Sequence, residues 1–138
     1  MQQWEHFPHG ADIGLRGRGA TLGAALAAVA TALAAVVTDP AGIAPRVPVQ
    51  VRCSAPTPDF LLLDWLNALI YEMATRAMVF SRFDIVADAT SLEATAWGEP
   101  VDIERHQPAV EVKGATLTAL GLAQAPDGDW VAECVVDV

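Results

Sequence analysis

Apolar and polar positions alternate from the first residues of the chain. Over residues 2–7, Trp4 and His6 fall on one side and Glu5 and Phe7 on the other, and Pro8 ends the run, which predicts a short strand. Residues 12–18 alternate again with Ile13 and Leu15 inward, and Gly14, Gly17 and Gly19 mark close backbone approach or a bulge. The period then changes. Leu22, Leu26, Val29, Leu33 and Val36 recur at four- and three-residue steps, predicting a helix capped by Thr21 and stopped at Asp39-Pro40. After a loop carrying Gly42, Pro45 and Pro48, Val49, Val51 and Cys53 alternate with Gln50, Arg52 and Ser54 as a strand.

Thr57, Pro58 and Asp59 form a second helix start, each suited to the unpaired amides and dipole of a first turn. The following residues to Ala77 are apolar nearly all round. Leu62, Trp65, Leu66, Leu69, Ile70 and Met73 read as buried, and Asp64, Asn67, Tyr71 and Thr75 form a narrow polar stripe, so this helix is expected at the centre. Asp64 reads as part of a solvated face or as an interhelical hydrogen bond, with a site role as the alternative. Phe83, Ile85 and Ala87, then Leu92, Ala94 and Ala96, form a hairpin about residues 89–91, ended by Trp97-Gly98-Glu99-Pro100. Residues 101–108 are polar and read as a loop, and residues 110–120 as one long strand. The turn Pro126-Asp127-Gly128-Asp129 sends a last strand back, with Trp130, Ala132, Cys134 and Val136 on one face and Glu133 and Asp137 on the other. The order implies an α+β fold, two helices packed on a largely antiparallel sheet, as a single domain over residues 1–138.

Composition narrows the function. Hydrophobic residues make up 53% and charged residues 18%, which disfavours disorder and predicts one compact core. The net charge of −9 and the absence of any Lys/Arg cluster disfavour a direct grip on nucleic acid and point to a protein, a cation or a basic surface as partner. Cys53 and Cys134 lie in apolar runs without a signal-like leader, so two reduced thiols in a cytoplasmic protein are expected. The alanine-rich run over residues 20–37 is long enough to raise a membrane question, but its cap, threonines and glycine, and its lack of basic or aromatic anchors, argue against a span.

Candidate chemistry concentrates at the two ends. The stretch from His9 to Gly19 holds one acid, Asp12, among glycines, and the chain closes on Asp137 and Val138. Hard cations take carboxylate and main-chain oxygens, so Asp12, Asp137 and the backbone oxygen of Val138 form a partial coordination shell if the ends meet. Aspartates beside glycines also serve as plain turn residues. The glycine spacing matches neither a P-loop nor a dinucleotide fingerprint.

Several of these segments, in order, resemble one family, archease. His9-Gly10-Ala11-Asp12-Ile13-Gly14 is similar to its His-Thr-Ala-Asp-Ile-Gly motif, followed by a Thr-Leu helix start at Thr21-Leu22 and a Thr-Asp end at Thr38-Asp39. Within residues 63–71, Trp65-Leu66-Asn67, Leu69 and Tyr71 resemble its Trp-Leu-Asn-x-Leu-x-Tyr helix, and Gly98-Glu99 and His106 match a Gly-Glu and a His further on. Glu111-Val112-Lys113-Gly114-Ala115-Thr116 is similar to Glu-Ile-Lys-Ala-x-Thr, and the close resembles an Asp-Gly-x-Trp strand with a terminal Asp-Ile. Gly10, Gly114 and Leu117-Thr118 depart from the family's threonine, alanine and Tyr-His. The resemblance implies a non-catalytic activator of the GTP-dependent tRNA-splicing ligase, which joins RNA ends carrying a cyclic or 3′-phosphate to a 5′-hydroxyl. It implies promotion of GMP transfer onto the ligase's histidine and of multiple turnover. It also implies a calcium-type divalent metal on Asp12, Asp137 and Val138, and a role in activation for Lys113.

Two rival readings use the same residues. A small metal-dependent or acid–base hydrolase would use His9, Asp12 and Asp137, though the chain has no paired metal-ligand histidines and no nucleophile elbow. A general RNA-processing chaperone meets the same objection as any RNA grip, the negative charge.

Overall fold

The structure is a computed structural model that describes residues 3–138, so Gln2, the first position of the expected opening strand, lies outside the described residues. Strands β1 (Gln3–His9) and β2 (Asp12–Gly19) form a hairpin, followed by helix α1 (Leu22–Val37), β3 (Val47–Ser54) and helix α2 (Pro58–Arg76). Then come β4 (Met78–Ala87), β5 (Ser91–Pro100), a short helix α3 (Ile103–His106), and β6 (Gly114–Ala115), β7 (Gly121–Gln124) and β8 (Trp130–Asp137). Every pairing is antiparallel. The strands divide into two sheets, β1-β2-β8-β6 with β7 also on β8, and β3-β5-β4.

Both long helices start where their caps place them. Thr21 accepts a hydrogen bond from the Ala24 amide and Thr57 from the Phe60 amide, with Pro58 at the opening of α2. The centre of the fold is α1 rather than α2. Alanine is the reason: with Ala25, Ala27, Ala28, Ala30, Ala32 and Ala34 all buried, α1 can lie against β2 and β4 of the two sheets at once. A Cβ on Gly17 would come within 2.2 Å of the Val29 amide nitrogen, so glycine sets how closely β2 approaches α1. Helix α2 keeps Asp64, Asn67 and Tyr71 exposed and packs Leu61, Leu62, Trp65, Leu66, Leu69 and Ile70 inward, while Met73 is half-buried. The Trp65 indole donates to the Leu26 carbonyl at 3.0 Å and meets Phe83 edge-on, tying α2 to α1 and to β4.

Three further expectations are corrected. The polar segment 101–108 contains α3, whose N-cap Asp102 accepts from the Arg105 amide. Strand β5 continues through Trp97-Gly98-Glu99-Pro100 instead of ending there, because Gly98 admits the β4 backbone; a Cβ would stand 1.9 Å from the Val79 oxygen. Residues 110–120 do not form one long strand. Only Gly114 and Ala115 pair with β8, and beyond them the backbone turns, with Ala119 at φ 54° and Leu117 67% exposed. The apolar alternation there is broken by that left-handed residue, through which an extended strand does not pass.

Candidate functional site

Register brings the two ends together. Ile13 pairs with Val136 in the β2–β8 ladder, so the next rung outward sets Asp12 opposite Asp137. Asp12 also pairs with His9 across the first hairpin, and Asp137 with Gly114 of β6. His9, Asp12, Asp137 and Gly114 thus form one row across four strands. Residues opposite each other in an antiparallel ladder share a face, with Cα atoms about 4.5–5.5 Å apart. That face is the one turned away from α1, since Leu15 and Gly17, on the alternate positions of β2, are buried against the helix.

The hairpin that presents Asp12 turns through Gly10-Ala11. Gly10 has a φ of 59°, a left-handed value that favours glycine at the first central position of a two-residue turn. The departure from threonine there therefore has a backbone reason. Asp12 is half-buried, Asp137 is exposed, and Val138 is half-buried with its side chain against the main core. Among the described residues neither aspartate takes part in an ion pair. Two like charges opposed without a counter-charge repel, and a cation between them removes that cost. No group of three or more His, Cys, Asp or Glu side chains gathers to hold a metal among the described residues. The donors at this end are two carboxylates and main-chain oxygens, an open oxygen set of the kind hard cations accept.

Lys113 stands next to this row. Its backbone amide donates to the Asp137 carbonyl at 2.8 Å, and the residue after it, Gly114, pairs with Asp137. It is the chain's only lysine. All seven arginines are ion-paired, Arg16, Arg18, Arg46, Arg52, Arg76, Arg82 and Arg105, whereas exposed Lys113 has no acidic partner among the described residues. Among the described residues Lys113 is thus the one Lys or Arg side chain without an ion pair, and it directly precedes Gly114 of the row that holds Asp12 and Asp137.

The chain enters this segment from a buried cluster that the sequence pattern does not reveal. Glu99, 1% exposed, accepts from the Ala44 amide at 2.6 Å, from Arg105 at 2.6 Å and from Arg46 at 3.3 Å, and meets His106 Nε2 at 3.1 Å. Because the Asp102 amide donates to His106 Nδ1, the imidazole carries its proton on Nε2 and donates it to Glu99. The Arg105 guanidinium first, then the Ala44 amide and His106, hold the Glu99 carboxyl well below the usual carboxylate range. Thr38 donates to the His106 carbonyl and the Ala109 amide to Val37, so the path from Glu99 to Lys113 is tied to the end of α1. In the sequence Glu99 and His106 are visible only as matches to family motifs, since a polar residue in a polar segment gives no sign of burial.

Asp64 is exposed and without an ion pair among the described residues, as a solvated face requires. Cys53 and Cys134 are free thiols, and burial pushes both up from the ordinary thiol value, with Asp64 adding to the effect on Cys53. Neither is poised as a thiolate nucleophile. No helix of the described residues is long and apolar enough to cross a membrane.

One family model matches nearly the whole of this two-sheet α+β chain: that of the archease protein family (MTH1598/TM1083), over residues 4–138. The chain belongs to the archease family. It is 36% identical to protein archease of Pyrococcus furiosus over 142 aligned positions, covering the whole of both chains, and 36% identical over the same span to that of Thermococcus gammatolerans. Its fold is that of the solution structure of Methanobacterium thermoautotrophicum protein 1598, at a TM-score of 0.79 with 28% identity and 98% of each chain covered. An archease from Thermotoga maritima, named a possible chaperone, shares the fold at a TM-score of 0.63 and 18% identity, over 96% of this chain and 94% of its own.

Proposed function

We propose that this protein is a non-catalytic activator of the GTP-dependent tRNA-splicing ligase, acting in the cytoplasm on that protein partner rather than on RNA directly. It promotes GMP transfer to the ligase and repeated turnover. The observation that carries the reading is the juxtaposition at one sheet end of Asp12, Asp137 and Lys113, carboxylates and a cation with no partners of their own among the described residues. Asp12, Asp137 and the Val138 main-chain oxygen would hold a divalent ion of calcium type, which supplies a local positive centre on an acidic surface. Lys113, a compact point charge on a flexible stem, reaches from that end to a phosphate or carboxylate of the ligase and its nucleotide. Membership of the archease family supports the reading.

The test is single-turnover GMP transfer to the ligase, with wild type, with Lys113→Ala, and without added protein. Wild type is expected to accelerate the transfer and Lys113→Ala, folded as wild type, to lose most of the effect. Equal activity of the two would remove Lys113 from the mechanism. Turnover of a phosphoester by the protein alone would favour a hydrolase instead.

A further inference from the structure

We infer that Asn67 of α2 is a positioning residue that fixes the backbone of Lys113 at the strand end that carries the carboxylate pair; this rests on the ligase-activation reading. Strand β6 is only two residues long and stands at the edge of its sheet. So short a strand has little ladder of its own to hold its register. On one side it is fastened to β8, through the Lys113 amide to the Asp137 carbonyl at 2.8 Å and the Thr116 amide to the Val135 carbonyl at 3.0 Å. On the other side, where a further strand would lie, the Ala115 amide donates to Asn67 Oδ1 at 2.9 Å. Asn67 thus takes the place of a missing strand with a single side-chain acceptor.

The contact has a specific consequence for Lys113. A segment that slips by one residue turns every side chain to the opposite face, so the register of residues 113–115 decides on which side Lys113 emerges. Val110 and Val112 line one cavity with Ile70, Met73 and Ala74 farther along α2, an apolar surrounding that sets no register. On the side away from β8, Asn67 supplies the directional bond. It is also the member of the α2 polar stripe that is turned to this use: Thr75 bonds back to the Tyr71 carbonyl of its own helix, whereas Asn67 reaches a segment 48 residues away. An added Cβ on Gly114 would lie 3.8 Å from Asn67 Oδ1, so the carboxamide sits directly over the residue after Lys113.

The experiment measures ligase GMP transfer against the concentration of wild type, Lys113→Ala, Asn67→Ala and Asn67→Asp, each checked for cooperative unfolding. Asn67→Ala is expected to lower the maximal rate about fivefold, the population shift that loss of one neutral hydrogen bond allows, with the half-saturating concentration unchanged. Asn67→Asp keeps an acceptor at the same reach and is expected to restore most of the rate. A folded Asn67→Ala that matches wild type, equal loss in Asn67→Ala and Asn67→Asp, or a change confined to the half-saturating concentration would each overturn the inference while Lys113→Ala leaves the activator reading standing. Failure of wild type to accelerate transfer, or full activity of Lys113→Ala, would instead take down the underlying reading and this inference with it.

Discussion

Replacing Glu99 by glutamine removes one negative charge from the buried cluster that anchors residues 99–113, and the donors around that carboxylate determine how much stability is lost. Glu99 is 1% exposed and receives four donors: the Ala44 amide, Arg46, Arg105 and His106. A glutamine offers one acceptor oxygen, and its amide must face either the two arginines or the Ala44 and His106 donors. His106 cannot turn acceptor at Nε2, because its Nδ1 already accepts from Asp102. Removing one partner of a buried ion pair costs roughly 3–5 kcal/mol. Arg46 and Arg105 are 66% and 48% exposed and regain water, which places the expected loss at the lower end, about 3 kcal/mol. For a chain of 138 residues this lowers the melting temperature by about 10 °C. The pH dependence has a definite sign. With its carboxyl held below the ordinary value of 4.5, Glu99 contributes in full above that pH, and the contribution is lost as pH falls below it. Thermal unfolding of wild type and Glu99→Gln from pH 7 to pH 3 should therefore show curves that converge toward the acid end. A Glu99→Gln protein within about 1 kcal/mol of wild type at pH 7 would show that the cluster is not anchoring this segment.

At the carboxylate end, Asp137→Asn in the presence of a chelator should stabilise the protein by about 0.2–1 kcal/mol in urea, because it removes a like charge opposite Asp12; destabilisation would mean that the two carboxylates do not oppose each other. Gly10→Thr, which installs the family's residue, should cost about 1–2 kcal/mol because a β-branched side chain is placed at a φ of 59°; an unchanged melting point would refute the strain. Gly114→Ala meets only ordinary contact with Asn67 and no positive φ, so it should stabilise by about 0.4–1 kcal/mol by restricting the unfolded chain; a loss of stability would show that β6 needs glycine.

Local signals in the sequence are strong where a single residue has a single backbone task. Thr21, Thr57 and Pro58 mark both long helices, and the turn from Pro126 to Asp129 marks the return of the last strand. Periodicity fails where burial depends on what lies opposite. An alanine adds little to a hydrophobic stripe, so α1 reads as one-faced although alanine is what lets both sheets close on it, and the richer apolar run of α2 reads as the centre. The opposition of Asp12 and Asp137 has no local sign at all, because residues 125 apart meet only through strand register. Family motifs point to it where physics on the bare sequence can only pose the question. Division into two sheets and the break after Ala115 are likewise illegible, since both are decided by tertiary partners such as Asn67 and Val135.

Whether the two chain ends share a cation can be measured by calorimetric titration of Ca²⁺ into chelator-stripped wild type, Asp12→Asn and Asp137→Asn. Wild type is expected to bind one ion per chain, and neither variant to bind any over the same concentrations. Wild type that takes up no divalent ion, or variants that bind it as well as wild type, would contradict the shared site.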